Sequence, residues 1–216
     1  IGICGEAVVK AGEMTTIRQP ESICIRVARD FPGIGKQASD LRGSILLIGP
    51  PGAGKTTLGK AFARELGLTF VDLDWYIEER FHKSIRQLFT ERGEDGFREL
   101  EKRMLHEAAE FEDVVISTGG GTPCFLDNME YMNTMGDTIF LDVDIKVLFR
   151  RLKVAKQQRP LLVQKTDEEL MAFITENLQK RLPFYNKAKH VFNGERLEDR
   201  HQIQQSVERL KELLEL

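Results

Sequence analysis

The chain alternates between short apolar runs and longer stretches whose apolar residues recur at helical spacing. Residues 45–48 (ILLI) are apolar throughout, which is typical of a strand buried on both faces in a parallel sheet. Later segments with strand character are 69–73, 113–117, 137–143 and 190–193. The stretches between them repeat their apolar residues every three or four positions. The pattern therefore predicts an α/β fold with five strands connected by helices.

Capping residues predict several helix ends. Ser84 is an N-cap for a helix that Gly93 closes, and Thr166 forms a capping box for a later helix. That later helix should bend or end near Arg181, because Leu182 precedes a proline and is therefore disfavoured in helical geometry.

The first strand runs directly into a glycine-rich segment, GPPGAGKTT. The segment matches G-x-x-x-x-G-K-[ST] without a gap and lies between a predicted strand and a predicted helix. Glycines let backbone N–H groups wrap around phosphates, the lysine adds a positive charge, and the threonine hydroxyl can bind Mg²⁺. We therefore predict a nucleotide phosphate site made by Gly52, Ala53, Gly54, Lys55, Thr56 and Thr57. A dinucleotide fingerprint fits less well, because Thr57 stands where its third glycine should be.

Two carboxylates follow the second predicted strand. In open parallel sheets, ligands bind beyond the carboxyl ends of the strands, which is where Asp72 and Asp74 are expected. Asp72 is the candidate for holding Mg²⁺, since the strand at 113–117 ends without an aspartate. Asp74 is the candidate for facing an acceptor hydroxyl. The alternative is that Asp74 only caps a helix that begins at Trp75.

Later segments add a glycine run and several arginines. Three consecutive glycines, residues 119–121, follow a buried strand, and we expect a close approach of the backbone to a ligand there. The polar, basic stretch at about 152–168 is typical of a mobile lid, and Arg151 and Arg159 are candidates for contacting the phosphates. Arg98 lies off the apolar stripe of its helix, so its alternatives are a functional cation or a solvated charge paired with Glu101.

Composition narrows the classes of function. The chain has 216 residues, 41% of them hydrophobic and 30% charged, which suits one domain with an appendage. Its net charge of −3 gives no general attraction to nucleic acid or membrane, and we expect neither as a partner. Cys4, Cys24 and Cys124 are too far apart for a zinc site or a disulfide framework. Cysteines without a disulfide framework fit a reducing compartment, so we expect a cytoplasmic protein. We also expect a monomer.

The motifs taken together resemble one family, the shikimate kinases. They are GPPGAGKTT, DLDWYIE, GFRELE, STGGG, QQRPLL and RLPFY, in that order. The resemblance covers about residues 43–216, and residues 1–42 are an N-terminal extension of unknown role. It implies a three-layer P-loop NTPase fold with a five-stranded parallel sheet flanked by helices. It also implies substrate-binding helices at about 74–110, a mobile lid at about 152–168, and ATP-dependent phosphorylation of the shikimate 3-hydroxyl in the route to chorismate and aromatic amino acids.

The resemblance implies a role for each matching residue. Asp74 would contact the substrate hydroxyls and act as the candidate general base. The remaining substrate residues would be Arg98, Arg181, Gly119, Gly120 and Gly121. Thr56 and Asp72 would hold Mg²⁺, Arg159 would contact the phosphates from the lid, and Arg151 would lie on the adenine side.

The sequence is also compatible with other functions. A kinase of the same fold that acts on gluconate or a nucleoside monophosphate would also use paired arginines. A nucleotide-binding module without catalysis is a further possibility. A GTPase switch fits less well, because residues 186–189 (NKAK) fail the last position of [NT]-K-x-D.

Overall fold

The computed structural model describes the backbone of residues 2–10, 13–24, 43–154 and 166–216, and the side chains of the last two ranges. The chain divides into two units, Ile1–Gly33 and Ile34–Leu216. In the first unit, strands β1 (Gly2–Lys10) and β2 (Glu13–Cys24) pair antiparallel. The boundary of the N-terminal extension at residue 42 stays a prediction, because residues 25–42 lie outside the described ranges.

The second unit is built on a parallel sheet of five strands, β3 (Ser44–Ile48), β4 (Thr69–Asp72), β5 (Val114–Ser117), β6 (Gly136–Asp142) and β7 (His190–Asn193). Their order in the sheet is β4-β5-β3-β6-β7. The strand that precedes the glycine-rich segment is thus the central one. This confirms the predicted α/β class and the parallel sheet.

Seven α-helices are described in the second unit. They are α1 (Lys55–Leu66), α2 (Leu73–Phe81), α3 (Ile85–Ala109), α4 (Asn128–Met135), α5 (Ile145–Val154), α6 (Asp167–Tyr185) and α7 (Arg200–Leu213). A short 3-10 helix covers Thr122–Cys124. Within the described residues, no helix is both long and apolar enough to cross a membrane.

The central strand is buried on both faces. Ile45 and Leu47 pack into a cluster with residues of α1, α5, α6 and α7, whereas Leu46 and Ile48 pack into a second cluster with residues of α2, α3 and α4. All four side chains are at most 1% exposed. Alternation of the strand's side chains between two apolar layers explains why the run contains no polar residue.

Both predicted helix N-caps are present in the structure. Thr166 accepts a hydrogen bond from the backbone N–H of Glu169, whose side chain accepts one from the backbone of Thr166. Ser84 starts α3 with the same kind of capping box. Gly93 has φ 70° and ψ −179° within α3, so the helix is broken at the predicted position although its hydrogen-bonded turns continue on both sides.

Of the two outcomes predicted for the later helix near Arg181, a bend or an end, the end is wrong. Helix α6 continues to Tyr185 with Pro183 inside it. A proline removes one N–H donor and crowds the preceding turn, but the following turn is held by the bond from the N–H of Asn186 to the carbonyl of Leu182, at 2.9 Å. The buried ring of Tyr185 packs in the core, so tertiary contacts outweigh the local preference.

Candidate active site

The segment between β3 and α1 has the backbone of a phosphate-binding loop. Gly49, Gly52 and Gly54 all have positive φ, and Gly54 lies in the left-handed region at the N-cap of α1. Its N-cap residue, Gly54, has no side chain that could cap the helix, so among the described residues the first N–H groups are available to an anion. A side chain at Gly54 would also place a Cβ only 2.5 Å from Leu197 Cδ1. The positive φ therefore favours glycine there, and any Cβ would also force the Leu197 side chain to shift.

The ammonium group of Lys55 lies within this loop. The residue is 8% exposed, and Nζ donates to the carbonyls of Gly49 and Pro50 at 2.8 and 3.0 Å. The charge is thus held at the mouth of the loop, where a nucleotide's terminal phosphates would need it.

Thr56 and Asp72 meet at the predicted magnesium position. Thr56 Oγ1 donates to Asp72 Oδ2 at 2.8 Å, across the ends of α1 and β4. Hydroxyl and carboxylate oxygens are ligands that Mg²⁺ accepts, usually together with water and nucleotide phosphates. The residues present therefore fit a Mg²⁺ ion.

Asp74 lies in the first turn of α2. Helix α2 begins at Leu73, with Asp72 at its N-cap position, so Asp74 is not the cap of a helix starting at Trp75. Burial, followed by the nearby carboxylates of Asp72 and Glu101, raises the pKa of Asp74 from 3.8 to about 6, and Lys55 opposes the rise. A carboxylate with this pKa is ionised at neutral pH yet basic enough to accept a proton.

Each glycine of residues 119–121 lies close to a different candidate side chain. A Cβ on Gly119 would lie 3.0 Å from Asp74 Oδ1, and one on Gly120 would lie 3.2 Å from an Arg181 guanidinium nitrogen. A Cβ on Gly121 would meet the Arg98 guanidinium at 3.0 to 3.3 Å. We call residues 119–121 the glycine wall. The wall brings together an acid from α2 and arginines from α3 and α6.

Arg98 is held by charge and by aromatic rings. Its side chain is 12% exposed, and one terminal nitrogen donates to Glu101 Oε2 at 2.8 Å. The guanidinium lies 3.9 Å from the ring centre of Phe125, a favourable cation–π geometry. Its buried Nε has no hydrogen-bond partner among the described residues. Arg98 is thus not a solvated surface charge, and it retains donor capacity for an anion.

Glu101 ties Arg98 to the turn that follows the glycine wall. It is 2% exposed, and its second oxygen accepts a 2.7 Å bond from the hydroxyl of Thr122. The sequence indicates the pairing with Arg98 through its i,i+3 spacing but gives no sign of Thr122, which is 21 residues away. Glu101 is therefore a functional candidate that sequence reasoning treats only as a competing partner.

Arg151 contacts the phosphate loop from behind. Its guanidinium donates to the carbonyls of Ala53 and Gly194 at 3.3 and 3.0 Å and to that of Glu195 at 2.8 Å. Burial lowers the pKa of Arg151 below its ordinary value. These hydrogen bonds connect the loop with the segment after β7. The Arg151 side chain also lines a cavity next to the loop.

A cavity of about 780 Å³ lies over the carboxyl ends of β3, β4 and β5. The predicted site residues that line it are Gly52, Gly54, Lys55, Thr56, Thr57, Asp72, Asp74, Gly119, Gly120 and Arg151. Ala53 is fully buried within the loop and does not line the cavity. Arg98, Gly121 and Arg181 are grouped beside the cavity through the glycine wall. Arg159 and the lid at about 152–168, apart from its ends, lie outside the described residues.

A five-stranded parallel sheet whose central strand runs into a phosphate loop and then a helix defines the class of P-loop nucleotide-binding proteins. Within that class, the family model described as Shikimate kinase matches residues 51–211. The chain therefore belongs to the shikimate kinase family.

Individual relatives agree with this membership. The chain is 74% identical over 170 residues to a shikimate kinase of Phocaeicola vulgatus. The aligned region covers 79% of this chain and 97% of that protein. It is similar to the crystal structure of the Bacteroides thetaiotaomicron shikimate kinase, with a TM-score of 0.79 and 67% identity over 81% of this chain and 99% of that one. It is also similar to the Acinetobacter baumannii shikimate kinase in complex with shikimate, with a TM-score of 0.72 and 29% identity over 84% and 97% of the two chains.

Proposed function

We propose that this chain transfers the γ-phosphate of ATP to the 3-hydroxyl of shikimate, giving ADP and shikimate 3-phosphate. The observation that carries the substrate assignment is the glycine wall, which lies against one carboxylate and two guanidinium groups. Shikimate carries hydroxyls and one carboxylate, so an acid at one end and arginines at the other match it.

In this mechanism Arg98 and Arg181 hold the substrate carboxylate, and Asp74 faces the reacting hydroxyl. The hydroxyl oxygen forms a bond to the γ-phosphorus while the bond to the bridging β,γ-oxygen breaks, and ADP leaves. Asp74 accepts the hydroxyl proton, in keeping with its pKa of about 6. Positioning and charge neutralisation supply most of the catalysis in this type of transfer.

The nucleotide side uses the phosphate loop. Backbone N–H groups at the start of α1 bind the phosphates, and Lys55 neutralises charge on the transferred group. We propose that Thr56 and Asp72 hold Mg²⁺, which when bound would neutralise phosphate charge. Arg159 from the lid and Arg151 beside the loop complete the proposed set.

We also propose that the enzyme acts as a monomer without a nucleic-acid partner. The net charge of −3 does not favour binding to a polyanion. Size-exclusion chromatography at the assay concentration tests the monomer: elution at the dimer mass would contradict it.

The test of the proposed function is ADP release from Mg-ATP by the purified chain, without an acceptor and with shikimate, gluconate or AMP. Release stimulated only by shikimate, with the phosphorylated product identified by mass spectrometry and NMR, is expected. Stimulation by another acceptor alone would overturn the substrate assignment. Stimulation by none would favour a nucleotide-binding module without catalysis.

A matched pair of variants distinguishes this site from a contaminating kinase. Lys55→Met removes the ammonium in the loop and should lower kcat by roughly 10²-fold or more. Lys60→Met changes an exposed lysine of the same helix and should leave kcat within about twofold. Equal activity of the two variants would show that the observed turnover does not come from this site.

A further inference from the structure

Tyr185 contacts the glycine wall through its hydroxyl, and no role follows for it from the sequence. The side chain is fully buried, and the hydroxyl donates to the carbonyl of Gly120 at 2.6 Å, although the two residues are 65 positions apart. Its ring stacks on Phe140 of β6, with 5.1 Å between ring centres. The hydroxyl is therefore held in a fixed place by packing of the ring.

The same hydroxyl lies next to Arg181. Arg181 and Tyr185 are one turn apart on α6, which places them on the same face of the helix. Burial raises the pKa of Tyr185, and the nearby positive charge of Arg181 partly offsets that rise. A phenol hydroxyl can donate one bond and accept others. While it donates to Gly120, its lone pairs thus stay available to the neighbouring Arg181 guanidinium.

Gly120 completes this cluster. A Cβ at Gly120 would lie 3.2 Å from a guanidinium nitrogen of Arg181 and 2.8 Å from Pro51 Cδ in the phosphate loop. The peptide of Gly120 therefore lies between the nucleotide loop and an arginine of the acceptor side. Rotation of this peptide or of the guanidinium would alter the acceptor pocket.

We infer that Tyr185 is a positioning residue for the acceptor: its hydroxyl fixes the Gly120 peptide and the Arg181 guanidinium in the orientation that receives the substrate carboxylate. This inference rests on the proposed function. It assigns Tyr185 no contact with the reacting atoms. Loss of the hydroxyl should weaken acceptor binding and leave the nucleotide site unchanged.

The test variant is Tyr185→Phe, which keeps the ring and its stacking on Phe140. We expect the KM for shikimate to rise roughly 10-fold, as for loss of a hydrogen bond that orients a charged group. The kcat should stay within about threefold and the KM for ATP within about twofold. Thermal unfolding is measured in parallel, since a carbonyl left without its donor lowers stability.

The matched control is Tyr131→Phe. Tyr131 is a partly buried tyrosine of α4 whose hydroxyl also donates to a backbone carbonyl, that of His106 at 3.4 Å, and it does not line the cavity. Its removal should change thermal stability but not the KM for shikimate. Equal effects of the two variants on that KM would overturn the inference.

A second acceptor, the methyl ester of shikimate, shows whether Tyr185→Phe acts through the position of Arg181 or disturbs the whole site. The ester lacks the charge that Arg181 would bind, so the loss of kcat/KM caused by Tyr185→Phe should be much smaller with the ester than with shikimate. Equal losses for both acceptors, or a raised KM for ATP, would overturn the inference while leaving the proposed function intact. A wild-type chain that does not phosphorylate shikimate would overturn both.

Discussion

Replacement of Asp74 by asparagine should make the protein more stable and the enzyme much slower. Asp74 lies beside the carboxylates of Asp72 and Glu101 and is largely removed from water, which raises its pKa from 3.8 to about 6. At neutral pH the folded state therefore carries an unfavourable negative charge. Asparagine has nearly the same shape without that charge.

The magnitude follows from the pKa. A rise from 3.8 to about 6 corresponds to about 3 kcal/mol, since one pKa unit is worth about 1.4 kcal/mol. The folded state binds the proton more tightly than the unfolded state, so this cost is fully present above pH 6 and disappears as the pH falls from 6 towards 4. We expect Asp74→Asn to raise the Tm at pH 8 by up to roughly 10 °C, and to leave it almost unchanged near pH 4.

The activity should move in the opposite direction. If Asp74 accepts the hydroxyl proton, Asp74→Asn lowers kcat by roughly 10²-fold or more. The wild-type kcat/KM should rise with pH through an apparent pKa of about 6. Such a trade of stability for activity is common at catalytic sites.

The assays are thermal unfolding from pH 4 to pH 8 and steady-state kinetics over the same range. Asp95→Asn, which changes an exposed aspartate of α3, is the control and should shift the Tm by less than about 2 °C. A Tm difference between Asp74→Asn and wild type that does not depend on pH would refute the electrostatic argument. A loss confined to the KM would refute the role of Asp74 as base.

Two further variants test the two halves of the site. Thr56→Val removes a proposed Mg²⁺ ligand, so the Mg²⁺ concentration that gives half-maximal activity should rise at least roughly 10-fold; an unchanged Mg²⁺ titration would contradict the assignment. Gly121→Ala places a Cβ 3.0 to 3.3 Å from the Arg98 guanidinium, which must then shift, so the KM for shikimate should rise roughly 10-fold while the KM for ATP stays unchanged. Initial-rate kinetics with each substrate varied would show this difference, and a parallel rise in both KM values would argue against a local effect on Arg98.

The sheet and the phosphate loop could be predicted from the sequence because their signals are local. A strand buried on both faces needs an uninterrupted apolar run, and Ile45 to Ile48 provide one directly before the loop. The loop's requirements for positive φ and for a lysine are likewise contained in consecutive residues. The end of α6 is a contrary case, since the proline rule is local but the buried Tyr185 ring that holds the last turn is not.

The partners within the site could not be predicted in the same way. Spacing along one helix indicates that Arg98 and Glu101 can pair, but only the fold brings Thr122 to the other oxygen of Glu101. Arg151 shows a related difference. The family resemblance predicts that Arg151 lies on the nucleotide side of the site. The hydrogen bonds from Arg151 to backbone carbonyls could not be predicted, because they depend on where the fold places the segment after β7.

The glycine wall shows how far a local signal reaches. Three glycines in a row indicate that something must approach the backbone closely, and from the sequence we expect a ligand there. In the structure, the space that three Cβ atoms would occupy is bordered by Asp74, Arg181 and Arg98, each on a different helix. Because these three glycines have no side chains, Asp74, Arg181 and Arg98 can all lie against the same surface. In the proposed reaction that convergence would let a small hydroxylated carboxylate contact all three, so glycine is needed there for the geometry of the protein before any contact with the substrate.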